Sequence, residues 1–533
     1  MGFLQTVSDF LLGPPKAKQM TWESRDYSNM YPVRTTVFDG EKTPYELGEV
    51  QNVIPNYHSL RLRSHEADLK SDVVKIITNK FFKWVIGTGL KLQSEPVLKV
   101  LESEKIIRAN NDLEDFKANV EARFNLWAKS KRVCYKGEKN LHELGNDTLK
   151  SSFIGGDVLV IIRVENSELN VQLIDGQQVQ TPILEDEHHK QAKSRGNSIN
   201  NGIEKDDRGR HVAYFVKVYT EKSLLGEYVR IPAYGEKTKR KMAWLVYFDK
   251  HRIDHDRGIG ALAPILEKID KLDRYTEATV GSAEERAKIP YAIEHTRDSS
   301  GENPMAQRLA KSLGRNNGGE LDPYSEGDKK ADHITRTTGK MAVNLPIGSK
   351  LTSPSSSSGE INYPEFWKAV FQSLAAAVDI PPEVALQMYN SNYSASRAAI
   401  SAWEHLMFFY RNKYTQDFYQ IIYQEWLHLE IIKSKIDAPG YLQAVKSKKY
   451  LGVEAYASSR FLGSRMPHID PKKEIDAARA MLGEAGKNIP LASFEQVAER
   501  MNLGDWSENY KKYLKETESI KPEDGTDQKQ NSE

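Results

Sequence analysis

The chain has little of several features, and each absence limits what it can be. Its 533 residues include one cysteine, Cys134, so no disulfide can form within the chain and a cysteine-rich zinc site is excluded. No apolar run approaches the roughly 18 residues that a membrane-spanning helix needs. The pattern GxxxxGK[ST] is also missing, so the chain is not a P-loop ATPase.

Positive and negative charges are nearly balanced in this chain. Lysine and arginine total 75 and aspartate and glutamate total 74, which gives a formal net charge of +1. A protein that binds nucleic acid tightly by electrostatics usually has a clear basic excess. The balance therefore disfavours a tight DNA binder, and it remains compatible with a protein that handles DNA without holding it.

The most regular stretch of the sequence is 260–288, which predicts a long helix. Leu262, Ile265, Leu266, Ile269, Leu272 and Thr276 recur at steps of three and four residues, which places them on one helix face. Charged residues of both signs fill the other faces. The stretch is either an ordinary domain-spanning helix or one that packs beside copies of itself in a ring, with its charged face on a shared channel.

The remaining patterns predict an α+β protein. Residues 1–56 resemble an extended arm, and helices are predicted over 60–86, twice within 112–151, over 362–378, and in an aromatic-rich segment that ends near Leu429. Strands are predicted between 153 and 248, where β-branched and apolar runs alternate with turn residues. A small helical module follows over 438–517, and residues 518–533 are predicted to be disordered.

Two local clusters suggest chemistry, and both have a simpler interpretation. His251, Asp254, His255 and Asp256 could be metal ligands, but this stretch follows a strand and precedes a glycine, which indicates a loop that positions the start of a helix. Ser394 lies near Arg397, but no histidine base is nearby, and Ser394 and Ser396 lie where helix N-caps are expected. We therefore expect no catalytic residue and no metal site here.

Several segments, taken in chain order, resemble the bacteriophage portal proteins of the lambda type. Each match is weak alone, but they occur in the family's order between about residue 60 and residue 515. The segments are Val85-Ile86-Gly87-Thr88-Gly89-Leu90, Gly156-Asp157-Val158-Leu159-Val160, Asn201-Gly202-Ile203-Glu204, Arg257-Gly258-Ile259 with Leu262-Ala263-Pro264, Asn392-Tyr393-Ser394-Ala395-Ser396-Arg397, and Ile469-Asp470-Pro471.

The resemblance implies a portal fold, assembled as a ring that usually has twelve copies, at one vertex of the capsid. Each subunit of such a ring has an α/β wing, long stem helices, a small clip and an α-helical crown. The corresponding ranges here are 1–255 for the arm and wing, 256–288 for the first stem helix, 289–360 for the clip, 361–379 for the second stem helix, 380–396 for the tunnel loop, 397–430 for the long wing helix, and 431–533 for the crown and tail.

The resemblance also implies partners and sites. Double-stranded DNA would pass the tunnel-loop residues Asn390, Asn392, Tyr393, Ser394 and Arg397, and the stem residues Lys268, Lys271, Arg274 and Glu277. The terminase large subunit, the head-completion (adaptor) protein, and the major capsid and scaffold proteins would bind the ring. It would need no cofactor, metal or membrane. The protein would reside in the virion at the portal vertex, and in the host cytoplasm during assembly.

Two other classes of function stay open at this stage. A metal-dependent nuclease could use Asp254, His255 and Asp256, and it would cleave plasmid DNA on addition of Mg²⁺ or Mn²⁺. A membrane-attached scaffold could use the apolar residues near the start of the chain, and liposome flotation would detect it. Those residues are Phe3, Leu4, Phe10, Leu11 and Leu12.

Overall fold

The protein is described here from a computed structural model, which describes residues 56–107, 113–183, 186–220, 223–253, 255–288, 291–293, 334–337, 340–344, 363–388, 393–463, 471–483, 490–501, 503 and 506–520. The predicted arm, most of the predicted clip, Asp254, Asn362 at the start of the helix predicted over 362–378, Asp470 and the end of the tail lie outside these residues. The chain divides into a larger unit, Met1–Ala263 with Asp379–Glu533, and a smaller unit, Pro264–Val378.

The helix predicted over 60–86 is two helices, α1 (Tyr57–Lys70) and α2 (Asp72–Val85). They meet at Ser71, whose φ of −90° and ψ of 125° are extended rather than helical. Of the apolar face predicted for this segment, Val73, Ile77 and Phe81 on α2 are buried, and Ile76 and Trp84 on α2 are half-buried. Leu69 on α1, predicted on the same face, is 83% exposed. A break in the backbone changes which side of the chain faces the core, and the apolar spacing alone does not reveal it.

The larger unit continues through short helices and most of the strands. In chain order these elements are β1 (Lys91–Ser94), α3 (Leu98–Ser103), α4 (Glu114–Lys129), α5 (Leu141–Gly155), β2 (Asp157–Glu165), β3 (Glu168–Asp175), α6 (Glu187–Ser194), β4 (Ser198–Asn200), β5 (Ile203–Lys205), β6 (His211–Thr220), β7 (Ser223–Pro232) and β8 (Ala243–Tyr247). Helices α4 and α5 confirm the prediction of two helices within 112–151, with Phe116 and Phe124 buried.

Two antiparallel sheets lie between residues 157 and 247 of the larger unit. One has the strand order β3-β2-β8 and the other β4-β5-β6-β7. Buried residues of both sheets, among them Leu159, Ile203, Tyr214 and Leu245, belong to one apolar cluster. The first strand of the region predicted over 153–248 starts at Asp157, because residues 153–155 complete α5.

The smaller unit contains the long helix predicted from the sequence. A 3₁₀ turn, Ala263–Ile265, leads into α7 (Leu266–Lys288), and β9 (Tyr291–Ile293), β10 (Ile334–Thr337), β11 (Lys340–Asn344) and α8 (Tyr363–Ala377) follow. Ile265, Leu266, Ile269 and Leu272 are buried, which confirms the predicted apolar stripe. Strand β11 lies between β10 and β9 and is parallel to β9.

One glycine of α7 offers a direct test of the helix. A methyl group added at Gly281 would meet no heavy atom within 4 Å. Because glycine weakens a helix interior, Gly281→Ala is expected to raise the unfolding free energy by about 0.5–1 kcal/mol. The reverse change at the exposed Ala278, Ala278→Gly, should lower it by a similar amount. Thermal unfolding of both variants measures this, and a destabilised Gly281→Ala would contradict a helical backbone at this position.

The rest of the larger unit is mainly helical. Its elements are α9 (Pro382–Leu386), α10 (Tyr393–Tyr414), a π-helical segment (Thr415–Tyr419), α11 (Gln420–Ile432), α12 (Tyr441–Lys446), α13 (Tyr450–Tyr456), β12 (Ser459–Leu462), α14 (Pro471–Leu482), α15 (Phe494–Arg500) and α16 (Trp506–Ile520). The predicted aromatic helix is confirmed, and Trp403, Phe418, Tyr423 and Trp426 are buried on more than one of its faces.

Three details of this part differ from the sequence analysis. Strand β12 pairs with β1 in an antiparallel ribbon that was not predicted, with Ser94 opposite Ser459. Phe409 on the aromatic helix is 60% exposed. Ser394 and Ser396 lie inside α10, which begins at Tyr393, so neither is its N-cap. Among the described residues, no helix is both long enough and apolar enough to cross a membrane.

Candidate functional site

Helices α7 and α8 of the smaller unit pack as an antiparallel pair. The Lys268 ammonium donates to the Ser373 hydroxyl at 3.0 Å, and two turns later the Thr276 and Tyr363 hydroxyls lie 3.1 Å apart. Residue numbers that rise on α7 therefore meet numbers that fall on α8. The ring of Tyr275 packs against Phe366 with a centroid distance of 4.5 Å, which extends the contact along the pair.

The side of α7 opposite its buried stripe has charges of both signs. Lys271 pairs with Glu267 one turn earlier, with Nζ and Oε1 2.5 Å apart. The Arg274 guanidinium donates from Nε to the Asp270 carbonyl oxygen at 3.3 Å. Lys271 is thus paired with an acidic residue of its own helix, whereas Arg274 bonds to the helix backbone, and the exposed face carries charges of both signs.

The four predicted stem residues do not form one line along the helix. Each step of three residues turns the helix by about 300°, so Lys268, Lys271, Arg274 and Glu277 spread over roughly half of its circumference. Lys271 and Arg274 lie opposite the buried stripe, whereas Lys268 lies at the contact with α8 and Glu277 is exposed nearer the stripe. All four side chains are exposed, but a single partner surface on one side of the helix can contact only some of these four residues.

Little of the predicted tunnel loop remains unstructured in the described residues. Helix α9 occupies its first part and α10 begins at Tyr393, so the predicted wing helix starts earlier than 397. Of the predicted DNA-facing residues, Asn390 and Asn392 lie outside the described part, as do the side chains of Tyr393 and Ser394. Arg397 is exposed on the first turns of α10.

The start of this segment is anchored to the long helix. Asp379 has a positive φ of 57°, and its carboxylate accepts a hydrogen bond from the Tyr410 hydroxyl at 3.0 Å. Burial and this carboxylate raise the pKa of Tyr410, so the phenol stays protonated and continues to donate. The adjoining Ile380 is buried, which fixes where the segment leaves the core.

The structure also reveals a buried arginine that the sequence analysis placed in a simple loop. Arg257 is fully buried, and its Nε and Nη2 donate to the two carboxylate oxygens of Asp157, each at 2.7 Å. Its remaining donors bond the carbonyl oxygens of Gly176, Val179 and Asn201 at 2.6–3.1 Å. One side chain therefore ties together strand β2, the turn after β3, and the β4–β5 turn.

Asp157 is the only carboxylate in contact with Arg257 in the described network, and it also accepts from a second arginine. Arg61 of α1 donates from Nη2 to Asp157 Oδ1 at 2.6 Å, and the Gly258 amide donates to Oδ2 at 3.0 Å. Burial alone would raise the pKa of Asp157, but the attraction of Arg257 and Arg61 outweighs it and lowers that pKa. Asp157 is therefore ionised in the folded protein.

The two guanidinium groups respond differently to the same carboxylate. Burial lowers the pKa of Arg61, because its single bond to Asp157 only partly compensates for lost hydration. Burial acts on Arg257 in the same sense, yet its bidentate pairing with Asp157 raises its pKa overall. Arg257 is thus the principal partner of Asp157, and Arg61 adds an excess positive charge to a buried cluster.

Glycines let the backbone close around this network. A Cβ atom at Gly156, which has φ of +99°, would lie 2.3 Å from the Gly258 carbonyl oxygen. The converse also holds, since a Cβ at Gly258 would lie 2.2 Å from the Gly156 oxygen. The two glycines flank Asp157 and Arg257 in sequence, so the close approach of the two backbones is what brings the ion pair together.

The β4–β5 turn also contacts the Arg257 guanidinium, through the carbonyl oxygen of Asn201. Asn201 and Gly202 both have positive φ, 50° and 80°, as a tight hairpin turn requires. Glu204, two residues later, is fully buried and accepts from Arg230 Nε and Asn197 Nδ2, both at 2.6 Å. Burial would raise the pKa of Glu204, but the bonds to Arg230 and Asn197 lower it overall.

The segment 249–258 does not supply a metal site among its described residues. Both carboxylate oxygens of Asp256 accept from Lys205, at 2.8 and 2.9 Å, and His255 is buried with its ring edge against Tyr57. Across the described part of the chain, no group of three or more histidine, cysteine or acidic residues could hold a metal ion. Asp254, one of the proposed ligands, lies outside this part.

Comparison with known proteins identifies one family. A sequence profile for the family described as phage portal protein, lambda family, matches residues 41–407. No significant match was found among curated proteins. A solved structure described as the neck of an empty GTA particle computed with C6 symmetry is similar, with 13% identity, coverage of 85% of this chain and 95% of that chain, and a TM-score of 0.41. The neck of a native GTA particle computed with C12 symmetry shares 14% identity over 76% of this chain and 94% of that one, with a TM-score of 0.32.

Proposed function

Since the chain belongs to the lambda family of phage portal proteins, we propose that twelve copies assemble as a ring that conducts double-stranded DNA into and out of the capsid. The observation that carries this proposal is the match to the family over residues 41–407, more than half of the chain. Portal proteins are structural connectors at a capsid vertex and not enzymes. The work of this chain is therefore to form a passage and to bind other proteins.

In the proposed ring, the α7–α8 pair is the stem, and the exposed face of α7 that runs from Lys271 through Arg274 to Glu277 lines the channel. Duplex DNA carries one negative charge per ~1.7 Å of its axis, so an uninterrupted row of cations would retain it. On α7 Lys271 is paired with Glu267, and the exposed Asp270 and Glu277 alternate with the cations of the same helix. Neighbouring charges of opposite sign lower the net attraction and let the duplex slide.

We assign the remaining parts by their place in the family. The larger unit before residue 256 and the long helix α10–α11 form the wing, and the helices after residue 431 form the crown. The clip, 289–360, would dock the terminase large subunit during packaging and the head-completion protein afterwards. Major capsid and scaffold proteins would contact the ring during assembly. Family membership supports these assignments, and each can be tested by the loss of one partner when its surface is altered.

A single charge reversal tests the channel face. Glu277→Lys removes an acidic group from α7, so assembled rings of this variant should bind short linear duplex DNA more tightly and with a steeper salt dependence than wild-type rings. Glu236→Lys makes the same charge change in the exposed 234–241 loop of the larger unit and should have little effect. Fluorescence anisotropy over a series of salt concentrations measures both. Equal tightening by the two variants would contradict a channel role for α7.

A further inference from the structure

A cleft opens on the larger unit beside the outer edge of strand β3. Its volume is about 270 Å³, and it lies between β3, helix α5 and the segment 134–139. Its apolar lining comes from Leu144 of α5, Val158 of β2, and Val171 and Leu173 of β3. Pockets for whole small-molecule ligands usually span about 300–1,000 Å³, so this one suits one or two side chains. We call it the edge cleft.

Opposite charges balance around the edge cleft. Lys139 pairs with Asp147, and that hydrogen bond raises the pKa of Lys139, while Lys150 lies 3.6 Å from the Asp68 carboxylate. A phosphate or a nucleic-acid backbone needs a cationic excess, so this balance favours a neutral occupant. The charged residues that line the cleft are Lys136, Lys139, Lys150, Glu138, Asp147 and Asp175.

The backbone edge of β3 has unused hydrogen-bonding groups at the edge cleft. Along an antiparallel strand, the backbone groups of alternate residues point to opposite neighbours. Those of Val171 point outward, because its carbonyl oxygen accepts from the Tyr135 amide at 3.0 Å. Those of Leu173, two residues later, point the same way, and no hydrogen bond within the described part of the chain engages them. A polypeptide in the cleft would therefore find a donor and an acceptor at Leu173.

The segment beside the edge cleft indicates how a strand would fit there. Cys134 forms a parallel bridge with Val171, so the chain begins to run alongside β3 at this point. It then turns away, because the Gly137 amide donates to the Cys134 carbonyl oxygen at 2.8 Å and Gly137 has a φ of 72°. Both this turn and Leu173 line the cleft, so the cleft lies where a strand at this edge of β3 would continue.

We propose that the edge cleft docks an extended segment of a partner protein, which adds a short strand to β3 at Leu173 and inserts one large apolar side chain beside Leu144 and Val158. In this mode of recognition, main-chain hydrogen bonds give affinity and a pocket for an alternate side chain gives specificity. Successive residues of a strand point to opposite faces, so one side chain enters the cleft while its neighbours point away. The contact needs one copy of the chain and does not depend on the ring.

Fluorescein-labelled peptides test the docking in the intact chain. Each peptide has five residues, with two threonines on either side of a central leucine, methionine, phenylalanine or tyrosine. Matched peptides carry N-methyl groups on the threonine amides or an aspartate at the centre. Fluorescence anisotropy measures binding to the wild type and to two variants. Ser151→Tyr places a ring in the cleft, whereas Ser103→Tyr places the same ring on the exposed end of α3, outside it.

The expected result is saturable binding of at least one apolar peptide to the wild type and to Ser103→Tyr. Ser151→Tyr should lose about tenfold or more in affinity, because the new ring takes the place of the inserted side chain. N-methylation should weaken binding to the wild type by a similar factor, because it removes the donors of the added strand. The central aspartate should abolish binding, since a charge cannot enter the apolar cleft without a partner.

Two outcomes would overturn the proposal. An N-methylated peptide that binds as tightly as its parent would show that the cleft takes an apolar group without adding a strand. Failure of all four apolar peptides to bind the wild type at about 1 mM, the weak limit of specific recognition, would show that the cleft docks no such segment. Both results come from the wild-type chain, so they hold even if Ser151→Tyr fails to fold. Either result would leave the portal function intact.

Discussion

Replacing Asp157 with alanine is expected to lower the unfolding free energy of the larger unit by about 3–5 kcal/mol, because it leaves buried guanidinium groups without their carboxylate. Arg257 and Arg61 are 0% and 2% exposed, so water cannot take the place of Asp157 without opening the core. Arg257 would keep its bonds to backbone carbonyl oxygens and lose the carboxylate to which its Nε and Nη2 donate. This change therefore affects three segments of chain at once.

Thermal unfolding and circular dichroism of purified protein measure the effect. Glu168→Ala is the matched control, since Glu168 also pairs with an arginine, Arg132, but at the surface. That variant should unfold as the wild type does, because exposed ion pairs contribute little. An Asp157→Ala protein as stable as the Glu168→Ala protein would show that the buried network does not hold this part of the fold.

The lowered pKa of Asp157 makes the stability of the folded protein depend on pH. The pKa of Asp157 is lower in the folded protein than in the unfolded chain, so its contribution is fully present above the unfolded value of about 3.9. As pH falls below that value, the unfolded chain takes up a proton that the folded protein resists, and the contribution is lost. The difference in melting temperature between wild type and Asp157→Ala should therefore shrink as pH falls through this range. A difference in melting temperature that stays constant down to the lowest pH at which the protein still folds would contradict the conclusion that Asp157 is ionised in the folded protein.

Gly156→Ala is expected to cost about 3 kcal/mol, from two sources that add. A left-handed φ of +99° disfavours any residue with a Cβ by about 1–2 kcal/mol. The new Cβ would also lie 2.3 Å from the Gly258 carbonyl oxygen, which is backbone and cannot rotate away. Forcing the two segments apart would stretch the bonds between Asp157 and Arg257, so the overlap adds to the conformational cost.

Gly137→Ala separates the conformational cost of a positive φ from the cost of steric overlap. Gly137 has a φ of +72°, but a Cβ there would meet nothing within 4 Å. This variant should show only the conformational cost of about 1 kcal/mol. Both proteins can be compared by thermal unfolding under the same conditions. Equal losses in the two variants would mean that the approach of Gly156 to Gly258 is not tight, and the geometry given for the network would be wrong.

The resemblance to portal proteins was recognised from short motifs, and the structure explains what three of them do. Gly156-Asp157, Asn201-Gly202 and Arg257-Gly258 converge at the guanidinium of Arg257. They form a buried junction within the larger unit. The motifs therefore identify the fold, whereas the channel residues are inferred from the place of α7 in the family.

Long periodic segments were predictable from the sequence, and non-local contacts were not. The stripe of α7 and the aromatic helix α10–α11 repeat often enough to indicate their buried faces. The β1–β12 pairing joins four-residue strands from distant parts of the chain, and a run this short shows no period. The role of Arg257 was missed for a similar reason, since its partners lie on other elements. The glycines beside Asp157 and Arg257 were the available signal, because paired glycines permit a close backbone approach.

Native mass spectrometry of the purified chain, with negative-stain microscopy of the same sample, gives the number of copies in the ring and its symmetry. We expect rings of twelve copies with an axial hole. A chain that stays monomeric at every concentration, and in the presence of its scaffold protein, would contradict it.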